Sequence, residues 1–350
     1  MHYNGRYKLF DPERIGTYPL AGRRNKVALS DLLDPASLPT PPPAEVDGVI
    51  DALARAIVEA RRADRPVVLF TGAHAIKNGL GPLLIDLIRR GAITLVAGNG
   101  ATAIHDFELA MIGQTSEDVP HALQKGRFGM AREFACFNAA ILEADRDGLG
   151  LGEGLGRMIC ESTFRHAAAV HLPEGLGCTE FHCPEVSVLA ACYRAGVPFT
   201  VHVGVGTDVV DQHPSFNGGA KGATSGRDFL IFVEHIAHMQ QGGVVLNLGS
   251  AVTGPEVLLK AVSMAANVGR GPRGIITADF DLRPHDPAQM NDEGAPGYYY
   301  RDQKSIVTRI PAAFGGRGLY VHGNQKDTVV RLYQRLVATL RRSPCGSDPD

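Results

Sequence analysis

The chain has 350 residues, of which 44% are hydrophobic and 21% charged, with a formal net charge of -2 and no tryptophan. A chain of this length buries a large core, as one big domain or two ordinary ones. The near-zero charge gives no electrostatic case for nucleic acid or a membrane surface, and the sparse aromatics argue against a stacking platform for single strands.

The first 45 residues read as an irregular N-terminal extension. They begin "MHYNGRYKLF", which has no apolar leader segment, and close on "LPTPPPAE", a proline stop. Residues 46–340 read as a single domain. "VDGVIDALARAIVEARRA" carries apolar positions at helical spacing. "RPVVLFTG" is a buried strand, "GLGPLLIDLIRRG" a helix closed by Gly91, "AITLVAGNG" a second strand and "AIHDFELAMIG" a second helix. The stretch from Ser116 to Gly175 reads as mostly helical and broken by glycine, with "GLGLGEGLGRMI" a loop turning into a helix. The alternation then resumes: "VSVLAACYRAG" helix, "VPFTVHVGVG" strand, "RDFLIFVEHIAHMQ" helix, "GGVVLNLG" strand, "PEVLLKAVSMAANVG" helix, "RGIITADFD" strand. "DTVVRLYQRLVATLRR" closes the domain as an amphipathic helix, and residues 341–350 read as a frayed tail. Short joints between strands and helices predict an α/β fold, doubly wound on a mostly parallel, Rossmann-like sheet.

In such sheets ligands bind beyond the carboxyl ends of the strands. The segments found there are "TGAHAIKNG", "GNGATAIHD", "GTDVVDQHP", "GSAVTGPE" and "ADFDLRP". Their convergence favours one shared pocket, and a dinucleotide as its occupant. No GxGxxG with a following acid and no GxxxxGK[ST] loop is present. Gly98 and Gly100 either make a tight turn or offer N–H groups to a phosphate. His105 is a candidate base, and Asp106 either a first-turn acid or a ligand contact. Asp208, Asp211 and His213 read as a solvated turn, as ligands for a metal, or as a grip on an amine or ribose hydroxyls. "CTEFHCPE", with Cys178, His182 and Cys183, fits no common zinc pattern, and no metal centre is expected. The six cysteines form no CxxC pair and read as reduced thiols of a cytoplasmic protein. No apolar run reaches the length of a membrane span.

Taken in this order, these segments resemble the deoxyhypusine synthase family, from about Arg65 to Gly323, and more closely bacterial deoxyhypusine synthase-like proteins related to homospermidine synthase. The resemblance implies an extended Rossmann-like fold, NAD as cofactor, a homotetramer, and transfer of an aminobutyl group from a polyamine to an amine through an enzyme-lysine imine. It places Ala73, His74, Lys77, Gly98, Asn99, Gly100, Asp208, Thr277 and Asp279 at the cofactor, Asp106, Asp211 and Asp281 at the substrate, and Lys304, His105 and Glu256 in catalysis. Lys304, in "YYYRDQKSIV" before a strand-like run, falls at the imine lysine. The family's tryptophan has no counterpart here, its catalytic histidine is missing near Glu256, and His105 replaces a glutamate. These departures leave open an NAD-dependent enzyme of the same fold acting on an amino acid or acid, for which Lys77 is better suited than for a polyamine. A non-catalytic nucleotide-binding protein is the remaining alternative.

Overall fold

A computed structural model describes residues 3–177 and 180–341. Its elements run β1 (Asn25–Ala28), α1 (Asp47–Arg62), β2 (Val67–Thr71), α2 (His74–Lys77), α3 (Gly81–Arg89), β3 (Leu95–Asn99), α4 (Gly100–Ile112), β4 (Gln114–Glu117), α5 (Val119–Gln124), α6 (Phe134–Arg146), α7 (Leu151–Cys160), α8 (Ser162–Ala168), α9 (Val188–Ala195), β5 (Phe199–His202), α10 (Gly218–Ala237), β6 (Val244–Leu248), α11 (Thr253–Asn267), β7 (Ile276–Asp281), a π-helix (Gln303–Arg309), α12 (Ile310–Ala313), β8 (Arg317–His322) and α13 (Gln325–Arg341). Six parallel strands form the main sheet in the order β5-β3-β2-β6-β7-β8. Counted along the chain this is the Rossmann order, with its switch point between β2 and β6.

The central strands are apolar throughout because both faces are covered. All five residues of β2 are buried, and they alternate between two cores. Val67 and Leu69 pack on one side of the sheet with α1, α3 and α4. Val68 and Phe70 pack on the other with α10 and α11. A continuous hydrophobic run is what a doubly covered parallel strand requires. In α1, Ile50, Leu53, Ala54, Ile57 and Val58 bury one stripe at spacings of three and four. The helix α4 starts where the Asn99 side chain accepts from the Thr102 N–H at 2.9 Å and ends at Gly113, whose φ of 66° suits the left-handed cap.

Two readings of the sequence change and one holds. The N-terminal segment is stitched to the domain: β1 pairs antiparallel with β4, and the Leu20 N–H donates to Glu133. "GLGLGEGLGRMI" turns from loop into helix at Leu151, as its glycine pattern suggests. Gly148 and Gly150 lie in the loop, while Gly152 lies so close to β5 that a Cβ would come within 1.7 Å of the Phe199 carbonyl oxygen. The run after Lys304 is a π-helix, and the last strand is instead Arg317–His322. Cys178, with Thr179, lies outside the described residues, as does the tail from residue 342. Cys136, Cys160, Cys183 and Cys192 form no disulfide among the described residues. Among the described residues no helix is long and apolar enough to cross a membrane.

Candidate functional site

A cavity of about 490 Å³ opens at the carboxyl ends of β3 and β5, within the usual size range of small-ligand pockets. Its lining includes Arg23 before β1, Lys77 on α2, His105 and Glu108 on α4, Ser116 on β4, and Asp208 and Asp211 after β5. The cavity is therefore assembled from segments that are far apart in sequence.

Its polar wall is a chain of four side chains. Arg23 donates to Glu108 Oε1 at 2.6 Å, and both side chains are almost fully buried. The Thr115 hydroxyl donates to Glu108 Oε2 at 2.5 Å, and His105 Nδ1 lies 2.6 Å from the same hydroxyl oxygen. Burial alone would raise the Glu108 pKa. The His105 bond and the Arg23 charge outweigh it and bring the carboxyl down to about 2. Glu108 is thus an acceptor at neutral pH and takes the single threonine proton. The short contact to His105 then makes Nδ1–H the donor, so that in the neutral tautomer the lone pair lies on Nε2. Ser116, next to Thr115, holds a φ of 68°, which is rare for a residue with a Cβ.

Across the cavity, Lys221 is 1% exposed. It donates to Asp208 Oδ2 at 2.7 Å and to Asp211 Oδ1. Burial raises the Asp208 pKa despite that partner. Asp211 also accepts from the Gly206 N–H at 2.7 Å, closing its own loop. The Asp208 carboxylate sits against the start of α4, where a Cβ on Gly100 would lie 2.0 Å from Oδ2. The helix N-terminus thus already has a protein anion beside it.

Several expected site residues lie elsewhere. Asp106 does not line the cavity. It is fully buried and accepts from the Ser187 hydroxyl at 2.6 Å and from the Val188 and Leu189 N–H groups at 2.8 and 3.0 Å. It holds the start of α9, and burial raises its pKa to about 6. The Thr277 hydroxyl is mid-strand and bonded to the Ile306 carbonyl, so it faces the π-helix rather than a ligand. Gly98 packs against the Thr102 side chain. Ala73 caps and His74 opens α2, and partial desolvation with the nearby charges of Lys77 and His105 lowers the His74 pKa.

The other expected residues gather on the far half of the sheet. Asp279 and Asp281 end β7 beside Asp302, with Arg283 donating to Asp281 at 2.6 Å and also to Asp302. Glu256, at the start of α11, pairs with Lys260 and lies 3.6 Å from Arg301. Lys304 is 5% exposed. Its Nζ lies 2.9 Å from the centroid of the Tyr298 ring and donates to the Tyr298 carbonyl at 3.4 Å. Desolvation and the charges of Arg309 and Arg301 lower its pKa.

At the switch point itself, Gly72 and Gly249 approach so closely that a Cβ on Gly72 would lie 2.5 Å from the Gly249 carbonyl oxygen. Nearby, the buried Asn247 Oδ1 and Gln325 Oε1 have no hydrogen-bond partner. Sequence reasoning missed Arg23, Glu108, Lys221, Asn247 and Gln325. The spacing of His105 and Glu108, three apart on a helix, is the one signal that could have pointed from a predicted residue to a missed one.

No protein-family model and no curated protein matches the chain. Solved structures with a similar layout include ArgZ, an arginine dihydrolase from the ornithine-ammonia cycle in cyanobacteria, at 18% identity over 86% of this chain and 33% of that one, with a TM-score of 0.47. AgrE in ternary complex with ornithine and NAD+ matches at 17% over 87% and 34%, with a TM-score of 0.46. A protein described as LOR/SDH from Methanococcus maripaludis S2 matches at 16% over 86% and 74%, with a TM-score of 0.45. The chain spans about a third of the length of the first two. None of these three is a deoxyhypusine synthase, and likenesses this distant leave function to be argued from the site itself.

Proposed function

We propose that the chain is an NAD-dependent enzyme acting on a small amino-acid-like substrate in the cavity beside His105. The observation that carries this reading is the Arg23–Glu108–Thr115–His105 chain, because it fixes one imidazole tautomer at a cavity wall. Lys77 suits a substrate carboxylate, and Asp208 suits its ammonium group or a ribose hydroxyl. A cavity carrying both signs of charge matches a zwitterion better than a polycation.

The switch-point residues fit a nucleotide. Asn247 Oδ1 and Gln325 Oε1 are buried acceptors that a ligand's amide or hydroxyl donors would satisfy, and His74, on α2 after β2, would face its phosphates. Bound there, NAD supplies a hydride acceptor. The chain's own part is to take a proton from the substrate amine or hydroxyl onto His105 Nε2. Thr115 and Glu108 keep the Nδ1 proton in place meanwhile, and Arg23 holds Glu108 ionised.

Thermal melts with and without NAD, followed by an amino-acid panel read by NADH absorbance, test this reading. It expects a melting shift with NAD that grows with concentration, and NADH formation with at least one amino acid. The absence of both sinks it.

Lys304 favours a second reading, the aminobutyl transfer and tetrameric assembly that the resemblance implies. A lysine with a lowered pKa under a tyrosine ring is suited to nucleophilic attack on a carbonyl-like carbon. Borohydride trapping of a spermidine fragment on Lys304, absent in Lys304→Arg, would select it over the first.

A further inference from the structure

The carboxyl end of β7 carries a cluster that the reading above does not use. One carboxylate oxygen from each of Asp279, Asp281 and Asp302 lies within 4.8 Å of the other two. Asp279 is 0% and Asp302 2% exposed, while Asp281 is half-buried and gives access from solvent.

The protein supplies partners for most of these oxygens. Asn247 Nδ2 donates to Asp279 Oδ1 at 2.7 Å. Arg283 donates to Asp281 and Asp302. The Gln303 N–H donates to Asp302 Oδ1 at 2.9 Å, and the Gln303 side chain donates to Asp281 at 3.1 Å. One atom is left over: Asp279 Oδ2 is buried and has no hydrogen-bond partner. A carboxylate oxygen buried in that way is costly. Three acidic side chains share one guanidinium there.

We propose that Asp279, Asp281 and Asp302 hold one hard divalent cation, Mg²⁺, Mn²⁺ or Ca²⁺. The three donors are all carboxylate oxygens, without thiolate or imidazole, which is the ligand chemistry of these ions rather than of zinc. An ion about 2.0–2.6 Å from each oxygen bridges a cluster of this span and gives Asp279 Oδ2 its missing partner. Arg283 and Gln303 stay behind the ligands and orient them. Half-buried Asp281 leaves room for water, or for a phosphate or carboxylate oxygen of a ligand, to complete the coordination. The cluster lies where the fold presents ligands, one strand from the switch point. The inference stands or falls independently of His105.

The test is calorimetry and thermal melting of the chelator-treated full chain with MgCl2, MnCl2 and CaCl2 in turn. The expected result is one saturable site per chain for at least one of these ions, with a raised melting temperature. Asp279→Asn and Asp281→Asn should each weaken binding by about tenfold or more. In chelator, Asp279→Asn should melt at or above the wild-type temperature, because it removes a like charge. If Asp279→Asn fails to fold, Asp281→Asn at the rim decides alone. No saturable binding of any of the three ions, or binding unchanged in the variants that fold, overturns the proposal.

Discussion

Glu108 keeps a full charge out of water because Arg23 lies 2.6 Å away. Removing a single member of such a pair leaves the other buried and alone. Arg23→Ala is therefore expected to destabilise the fold by about 3–5 kcal/mol, measured by urea unfolding. Arg23→Ala together with Glu108→Gln should recover part of that loss, and a double variant no more stable than Arg23→Ala would show that the cost is not the orphaned charge. At His105 the same chain has a chemical consequence. His105→Asn should lower turnover by about 10²–10⁴-fold, the usual worth of a positioned base, with little change in melting temperature. Thr115→Val removes only the hydroxyl that fixes the tautomer, so it should lower kcat and move the pH profile while leaving KM nearly unchanged. An unmoved pH profile in Thr115→Val would remove the tautomer argument.

At the scale of elements, the contact between α4 and the loop after β5 rests on a glycine. A Cβ on Gly100 would sit 2.0 Å from Asp208 Oδ2, and Asp208 is held by Lys221. Gly100→Ala must push the carboxylate off its lysine, at a cost of about 1–3 kcal/mol. Gly222, inside α10, has open space where a Cβ would go. Gly222→Ala should instead stabilise by about 0.5–1 kcal/mol through helix propensity. Urea titrations of the two variants check both signs, and a loss in Gly222→Ala as large as in Gly100→Ala would refute the distinction. The contrast also shows what was legible in the sequence. Buried runs such as "VVLFT" and helical stripes such as that of α1 announce themselves, because periodicity is local. The site depends on pairings that periodicity does not record. Arg23 reaches Glu108 only because β1 pairs with β4, and short polar strands such as "NKVA" and "QTSE" carry little signal. Asp106 matched a ligand position in sequence, but only the packing of α9 shows that its carboxylate caps that helix. The π-helix read as a strand because Ile306 and Val307 are β-branched and apolar, a preference that tertiary contacts override.

Across the whole molecule, buried ionisable groups set opposing pH dependences. Burial pushes His202 down to about 3 and His213 to about 4. Their contribution is complete above the unfolded histidine value of about 6.5 and is lost as pH falls toward the folded values. Asp228 acts in the opposite direction. It is 1% exposed, and burial raises its pKa to about 7 even though Oδ2 accepts from the Val201 and Gly152 N–H groups at 2.7 and 3.0 Å. A raised carboxyl binds a proton in the folded state that the unfolded chain has already released. Its contribution is therefore fully present below about pH 4 and is lost as pH rises through about 7. Asn at this position imitates the protonated acid and cannot titrate. The stability of Asp228→Asn relative to wild type should accordingly improve from pH 4 to pH 8 by about 4 kcal/mol, at roughly 1.4 kcal/mol per pKa unit. Urea unfolding of both proteins at pH 4, 6 and 8 measures that difference, with the histidines common to both and cancelling. A difference that stays constant over this range would mean that Asp228 is ionised throughout in the folded state.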